Sequence, residues 1–272
     1  RYLTSVTHIG TIAHYTIEQA KATPVTLPTL PEQKKIADFL TSVDDRIGQL
    51  IKKKALLEDY KKGVMQQLFS QQIRFKDENG NEFPDWEEKK LGEVATFSKG
   101  SGISKAGVHE DGATPCIRYG ELYTRYSELI GEVKSRTNLE KKHLVMSQRN
   151  DVIIPASGET HIDIATASCV MEEGVALGGD LNIIRAKTNG VFLAYYLNNA
   201  MKHAIARMAQ GSSVIHLYPA QLKLLKLSVP SLSEQKKIAD FLSAIDQKIE
   251  RVSQQITKTQ TFKKGLLQQM FV

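Results

Sequence analysis

Glu32-Gln33-Lys34-Lys35-Ile36-Ala37-Asp38-Phe39-Leu40 returns unchanged as Glu234-Gln235-Lys236-Lys237-Ile238-Ala239-Asp240-Phe241-Leu242, 202 positions later in a chain of 272 residues. Both copies close on matching tails at the same offset, Tyr60-Lys61-Lys62-Gly63-Val64-Met65-Gln66-Gln67-Leu68-Phe69 and Phe262-Lys263-Lys264-Gly265-Leu266-Leu267-Gln268-Gln269-Met270-Phe271. Solenoid units run roughly 20 to 50 residues. An offset this long therefore predicts two large units with pseudo-twofold architecture.

Each copy reads as a long helix. Thr29-Leu30-Pro31-Glu32 and Ser231-Leu232-Ser233-Glu234 are S/T-x-x-E capping boxes, so both helices carry a start signal at the same repeat position. Pro31 is tolerated because first-turn N–H groups have no intrahelical acceptor. Ile36, Val43, Leu50, Leu57 and Val64 fall seven apart, as do Ile238, Ile245, Val252 and Leu266 with Thr259 as the polar break. That spacing is a heptad seam. Phe39, Leu40, Ile47, Tyr60 and Leu68 widen the stripe in the first copy, and Phe241, Leu242, Ile249, Ile256, Phe262 and Met270 widen it in the second. Roughly 40 residues at 1.5 Å rise give a helix about 60 Å long, which needs a partner for its apolar stripe. The economical partner is the other copy, in an antiparallel coiled coil; packing of each helix on its own neighbouring domain is the plainer alternative. The runs Lys52-Lys53-Lys54, Lys61-Lys62, Lys236-Lys237 and Lys263-Lys264 read as solvated faces.

Between the helices, residues 73–85 hold turn formers and acids and read as a linker. A new domain opens near Trp86. Cys116-Ile117-Arg118-Tyr119, Asp151-Val152-Ile153-Ile154 and Asn182-Ile183-Ile184-Arg185 read as strands, and Val191 to Met208 shows helical spacing. The expected fold class is α+β: a globular domain at 86–228, flanked by helices at 29–72 and 229–272. Gly211 to Pro230 has a counterpart in Gly10 to Pro28, with His14 and His216 again 202 apart. Residues 1–28 therefore read as the tail of a first such domain, and the start at Arg1 reads as a processed or truncated N-terminus.

Formal net charge is +6 and the sequence pI about 9.1, which fits a polyanionic partner without demanding one. Cys116 and Cys169 lack CxxC spacing or a paired histidine cluster, so neither a metal site nor a disulfide framework is expected. A reducing, cytoplasmic setting fits. No run of 18 apolar residues and no signal peptide pattern occurs, so no membrane partner is expected.

The order of helix and domain, the signature L-P/S-E-Q-K-K-I-A-D-F-L, the opening Trp86-Glu87-Glu88-Lys89-Lys90-Leu91-Gly92-Glu93-Val94 and the closing Gly63-Val64-Met65-Gln66-Gln67-Leu68-Phe69 resemble the DNA specificity subunit of type I restriction-modification enzymes. The resemblance covers nearly the whole chain. It implies target recognition domains that each read half of a bipartite site in double-stranded DNA, held apart by two central helices. It also implies two docked methyltransferase (modification) subunits and, through the complex, restriction/translocase subunits. The first recognition domain is represented by residues 1–28 alone; a partial subunit of this kind would pair with a second copy of itself as a homodimer.

Chemistry of its own is not expected, and neither is a cofactor. The N/D-P-P-Y/F/W tetrapeptide of adenine methylation is absent. Gly100-Ser101-Gly102-Ile103-Ser104-Lys105 fits neither G-x-G-x-x-G nor a P-loop. Ser157-Gly158-Glu159-Thr160-His161 lacks the G-x-S-x-G frame of a hydrolase. A non-catalytic reader is the leading expectation, and a structural coiled-coil adaptor bridging protein partners without DNA readout is the alternative.

A reader needs side chains that bond base edges and others that fix register on phosphates. The candidates for DNA contact are Lys99 and Lys105; Arg118, Tyr119, Tyr123, Arg125 and Tyr126 after a strand; Arg149 in the polar turn Ser147 to Asn150; Ser157, Thr160 and His161; and Ser212 and Ser213. His216 reads as structural because it repeats as His14. Repeat-invariant residues are expected to hold the fold or grip the methyltransferase, and repeat-variable loop residues to read bases.

Overall fold

The structure is a computed structural model, and it describes residues 8, 9, 13, 14, 16–24, 27–211 and 214–271. Ser212 and Ser213 lie outside the described residues. Two compact units are present: Lys53–Val252, and residues 1–52 together with Ser253–Val272.

The larger unit holds the α+β domain. Its central sheet orders five strands as Ala95–Lys99, Leu181–Ala186, Asp151–Pro155, Ser168–Val170 and Leu129–Ile130, antiparallel except for the last, parallel pair. Successive side chains of a strand point to opposite faces. Val152 and Ile154 accordingly pack with the helix Gly190–Asn198 on one face, while Ile153 packs with Ile183, Ile117 and Leu177 on the other. Burial on both faces explains the unbroken apolar run Val152-Ile153-Ile154. A second five-stranded sheet orders Val108–His109, Ser135–Thr137, Thr114–Ile117, Ala176–Leu177 and Val145–Met146. Glu87–Lys90, just after Trp86, pairs antiparallel with Lys226–Val229.

The helical stretch expected from Val191 to Met208 is two helices, Gly190–Asn198 and Lys202–Met208. The first is buried on every side from Val191 to Leu197, and it starts at Asn189, whose side chain accepts from the Phe192 N–H at 3.0 Å. Gly190 is required there, because a Cβ would stand 2.4 Å from the Asn150 carbonyl.

The long helices span Leu30–Phe69 and Leu232–Met270. The heptad positions Val43, Leu50, Val64, Ile238, Ile245 and Val252 are buried. In the larger unit Lys61 meets Asp246 at 2.7 Å and Arg74, just past the first helix, meets Glu234 at 2.8 Å. Advancing along one chain segment while retreating along the other is antiparallel pairing. In the smaller unit Lys263 bonds Asp44 at 2.7 Å. That pair is Lys61–Asp246 with both members moved by the 202-residue repeat.

The capping boxes are only half realised. Ser231 Oγ accepts from the Glu234 N–H at 3.3 Å, but the Glu234 carboxylate turns away to the Arg74 guanidinium and to Trp86 Nε1 at 3.2 Å. A forked charge-assisted bond outcompetes a neutral N–H. At Thr29 no side-chain cap forms among the described residues; what the two helix starts share is the glutamine, Gln33 Nε2 to the Pro28 carbonyl and Gln235 Nε2 to the Pro230 carbonyl, each 2.8 Å.

Candidate nucleic-acid interface

The strand Thr114–Ile117 delivers the chain into Arg118–Tyr126, and Glu121 holds that segment. Its carboxylate accepts from the Arg118 N–H at 2.9 Å and from the Ser135 hydroxyl, and Arg125 lies 3.5 Å away. Buried to 8% exposure, Glu121 fixes the loop rather than meeting solvent. The Tyr119 and Tyr123 rings meet edge to face at 6.2 Å, and the Tyr123 hydroxyl donates to the Ser157 carbonyl at 3.3 Å. Ser157 is paired with His216 across a two-stranded ribbon, His216 stacks on Tyr218 at 6.0 Å, and the Lys99 ammonium sits 5.8 Å from the centre of the Tyr218 ring. Folding thus joins Lys99, Tyr119, Tyr123 and Ser157 into one aromatic and cationic row with His216 and Tyr218.

Arg118 lines two open depressions. One, about 720 Å³, is shared with Tyr119, Ser104 and Gly178 to Asp180; the other, about 510 Å³, is shared with Lys105 and Arg125. A Cβ at Gly100 would stand 2.1 Å from the Gly178 carbonyl, so this glycine lets two backbones cross.

The remaining candidates lie elsewhere or do other work. Arg149 donates to the Met171 carbonyl at 3.2 Å and shares its depression with Glu172 and Glu173, acidic company for a phosphate contact. Tyr126 packs against the core around Ile117, Ile153 and Leu177 while its hydroxyl accepts from the Lys134 N–H. The Thr160 hydroxyl accepts from the Asp163 N–H at 3.0 Å and donates to its carboxylate, a local bond pair leading into the turn Asp163–Ala165. His161 stands in a separate shallow cleft of about 450 Å³ with His203 and Arg207. Tyr218 was missed in the sequence although a signal existed: its repeat position is Thr16, so it is repeat-variable.

Burial pushes the Tyr123 hydroxyl well above the ordinary tyrosine range, so it stays a neutral donor. Burial, with the Glu121 charge adding to it, lifts the Cys116 thiol to about 11, and burial lifts Cys169 to about 12. Both thiols are protonated at neutral pH. Among the described residues no cluster of three His, Cys, Asp or Glu side chains could hold a metal ion, and no helix is long and apolar enough to cross a membrane.

A charged junction ties this domain to the helix pair. The Lys61 ammonium lies 3.0 Å from Glu128 and 2.7 Å from Asp246, over the Tyr195 ring, and the Tyr195 hydroxyl donates to Asp246. Burial opposes the Lys61 charge, but Glu128 and Asp246 outweigh it and hold its pKa above the ordinary lysine value. A lysine raised in the folded state contributes its full stability below the unfolded pKa of about 10.4 and loses it as pH climbs through the folded value. Lys61→Met is expected to lose on the order of 2 kcal/mol at pH 7, with a gap from the parent that narrows above about pH 10.4. Urea unfolding at a series of pH values checks this; a gap that stays constant into the alkaline range contradicts it.

The family described as Type I restriction modification DNA specificity domain matches residues 1–58 and 84–259. The Type I restriction enzyme MjaVIII specificity subunit of Methanocaldococcus jannaschii is 27% identical over 243 residues, 83% of this chain and 56% of that protein. The chain spans about half the length of the curated relatives it matches. Two solved structures share the fold. The type I restriction-modification S subunit from M. genitalium aligns with TM-score 0.61 at 19% identity, over 98% of this chain and 68% of that one. The HsdS subunit from Thermoanaerobacter tengcongensis aligns with TM-score 0.53 at 17% identity, over 99% and 66%.

Proposed function

This chain belongs to the type I restriction-modification DNA specificity family, and from that premise we propose that residues 86–228 are a target recognition domain reading one half of a bipartite site in double-stranded DNA. The helices at 29–72 and 229–272 set the spacing to the other half-site and dock two modification subunits, which carry out methylation and recruit the restriction/translocase subunits. The chain itself does no chemistry; it places its partners. Residues 1–28 are the tail of a first recognition domain. In support, the strand pairing of His8 with His14 matches the bridge of Gln210 with His216, and Gln19 bonds the Thr16 N–H as Gln221 bonds the Tyr218 N–H.

One observation carries the reading. The row from Lys99 through Tyr218, His216, Ser157 and Tyr123 to Tyr119, with Arg118 at its end, supplies ring faces, donors and cations on a single domain. An adaptor that only bridges proteins needs no such surface. The flipped adenine of such a system would be handled by the modification subunit, since the base must leave the stack for chemistry. The test is selection of bound duplexes from a randomised library by the purified chain with its modification subunits. Enrichment of one short half-motif, with affinity falling as salt rises, is expected. Recovery of unselected sequence would leave the adaptor.

A further inference from the structure

A carboxylate stands where the candidate interface is otherwise cationic. Asp180 is exposed and lines the depression of about 720 Å³ together with Arg118 and Tyr119. Among the described residues its side chain makes no ion pair and no hydrogen bond, and neither does the Arg118 guanidinium that lines the same depression. Two nearby acids are occupied, since Glu121 holds the segment Arg118–Tyr126 and Asp163 bonds Thr160. Asp180 has no such task.

The backbone that carries Asp180 is fixed before a ligand arrives. The Gly178 N–H donates to the Ile117 carbonyl at 2.9 Å, the Leu181 N–H closes the turn onto the Gly178 carbonyl at 3.1 Å, and the Asp180 carbonyl accepts from the Ala156 N–H at 2.7 Å. Leu177 pairs with Ile117, so the strand ends that lead to Asp180 and to Arg118 are neighbours in one sheet. Side chains on such anchored segments meet a ligand with little loop ordering left to lose.

Charge decides what Asp180 can face. A carboxylate repels phosphate, so beside Lys99, Lys105, Arg118 and Arg125 it lowers affinity for any nucleic-acid backbone. It accepts hydrogen bonds and donates none. The donors that a duplex offers in its major groove are the exocyclic amines of cytosine and adenine. Adenine N6 lies beside the N7 acceptor, which opposes a second oxygen, whereas cytosine presents N4 alone. Cytosine is the base that a carboxylate fits.

We propose that Asp180 is a specificity-determining residue of the half-site, accepting from N4 of a cytosine as Arg118 contacts a guanine. The proposal rests on the DNA-reading role given above and adds a base to it.

The test is duplex selection by the full chain with its modification subunits, comparing the parent with Asp180→Asn, Asp180→Ala and Glu159→Gln. Affinity for an unselected duplex and thermal unfolding are measured in parallel. Glu159 controls for charge alone: after burial, its carboxylate and that of Asp180 are among the lesser causes that raise the Tyr123 hydroxyl, yet Glu159 lines neither depression of Arg118. Asp180→Ala loses the preference for cytosine at one position by about tenfold, while it binds unselected duplex more tightly at low salt. Asp180→Asn, whose amide both donates and accepts, moves the same position toward adenine. Glu159→Gln tightens unselected binding and leaves the motif as it was. A parental motif retained by both Asp180 variants would overturn the proposal and leave the domain a reader. Relaxation of the same position by Glu159→Gln would also overturn it, because charge alone would then account for the effect. A parent that enriches no motif removes the reading itself, and this assignment with it.

Discussion

Arg74→Ala should lower the thermal midpoint of the larger unit by roughly 6–20 °C. Glu234 is fully buried, and its charge is met by the Arg74 fork at 3.1 and 2.8 Å with one further bond from Trp86 Nε1. Removing one partner of a buried ion pair leaves an uncompensated charge and costs about 3–5 kcal/mol. For a unit of this size each kcal/mol is worth about 2–4 °C. The loss propagates, because the same guanidinium donates to the carbonyls of Phe83 and Pro84 and so fastens the linker to the second helix. Glu234→Gln should be milder, since it removes the charge together with its need for a partner. Thermal unfolding followed by circular dichroism decides; a shift below about 2 °C for Arg74→Ala would mean that Glu234 does not depend on its clasp.

Arg118→Ala should abolish discrimination at one base pair of the recognised half-site while leaving the fold intact. A bidentate arginine to guanine is worth about 1–3 kcal/mol, or roughly 5- to 150-fold against the wrong base. The backbone of Arg118 is already fixed by Glu121, so the side chain is presented without loop ordering. Lys105→Ala, on the rim of the same depression, should act differently. It should weaken all duplexes alike and flatten the salt dependence by about one phosphate contact. Duplex selection with the two variants separates the roles; an unchanged motif and affinity for Arg118→Ala would remove it from the readout.

The long helices were legible in the sequence because their period is local. A heptad can be counted, and Val43, Leu50, Val64, Ile238, Ile245 and Val252 are buried where the count puts them, while Ile36, Leu57 and Leu266 are half-buried and Phe39, Tyr60, Phe262 and Met270, expected to widen the stripe, are exposed. The capping boxes were less reliable, since a local rule could not foresee that Arg74, 160 positions away, would capture the Glu234 carboxylate. The break at Asn199 to Met201 was hidden because the buried helix Gly190–Asn198 is apolar all round and its stripe runs on into the next.

The candidate interface was half legible. Arg118, Tyr119 and Tyr123 were found together because they adjoin in sequence after a strand. Their company with His216 and Tyr218 depends on Ser157 pairing with His216, a contact no local pattern encodes. Tyr126 and Thr160 read as loop donors; in the fold Tyr126 also has a core face and the Thr160 hydroxyl also accepts from the Asp163 N–H.

Exchange of residues 86–228 for the matching segment of another family member, followed by mapping of methylated adenines in cells carrying the modification subunit, tests the account most directly. The expected result is a bipartite methylation motif in which each half read by the exchanged segment changes while the spacer length stays fixed. A motif unaltered by the exchange would mean that this domain does not read DNA.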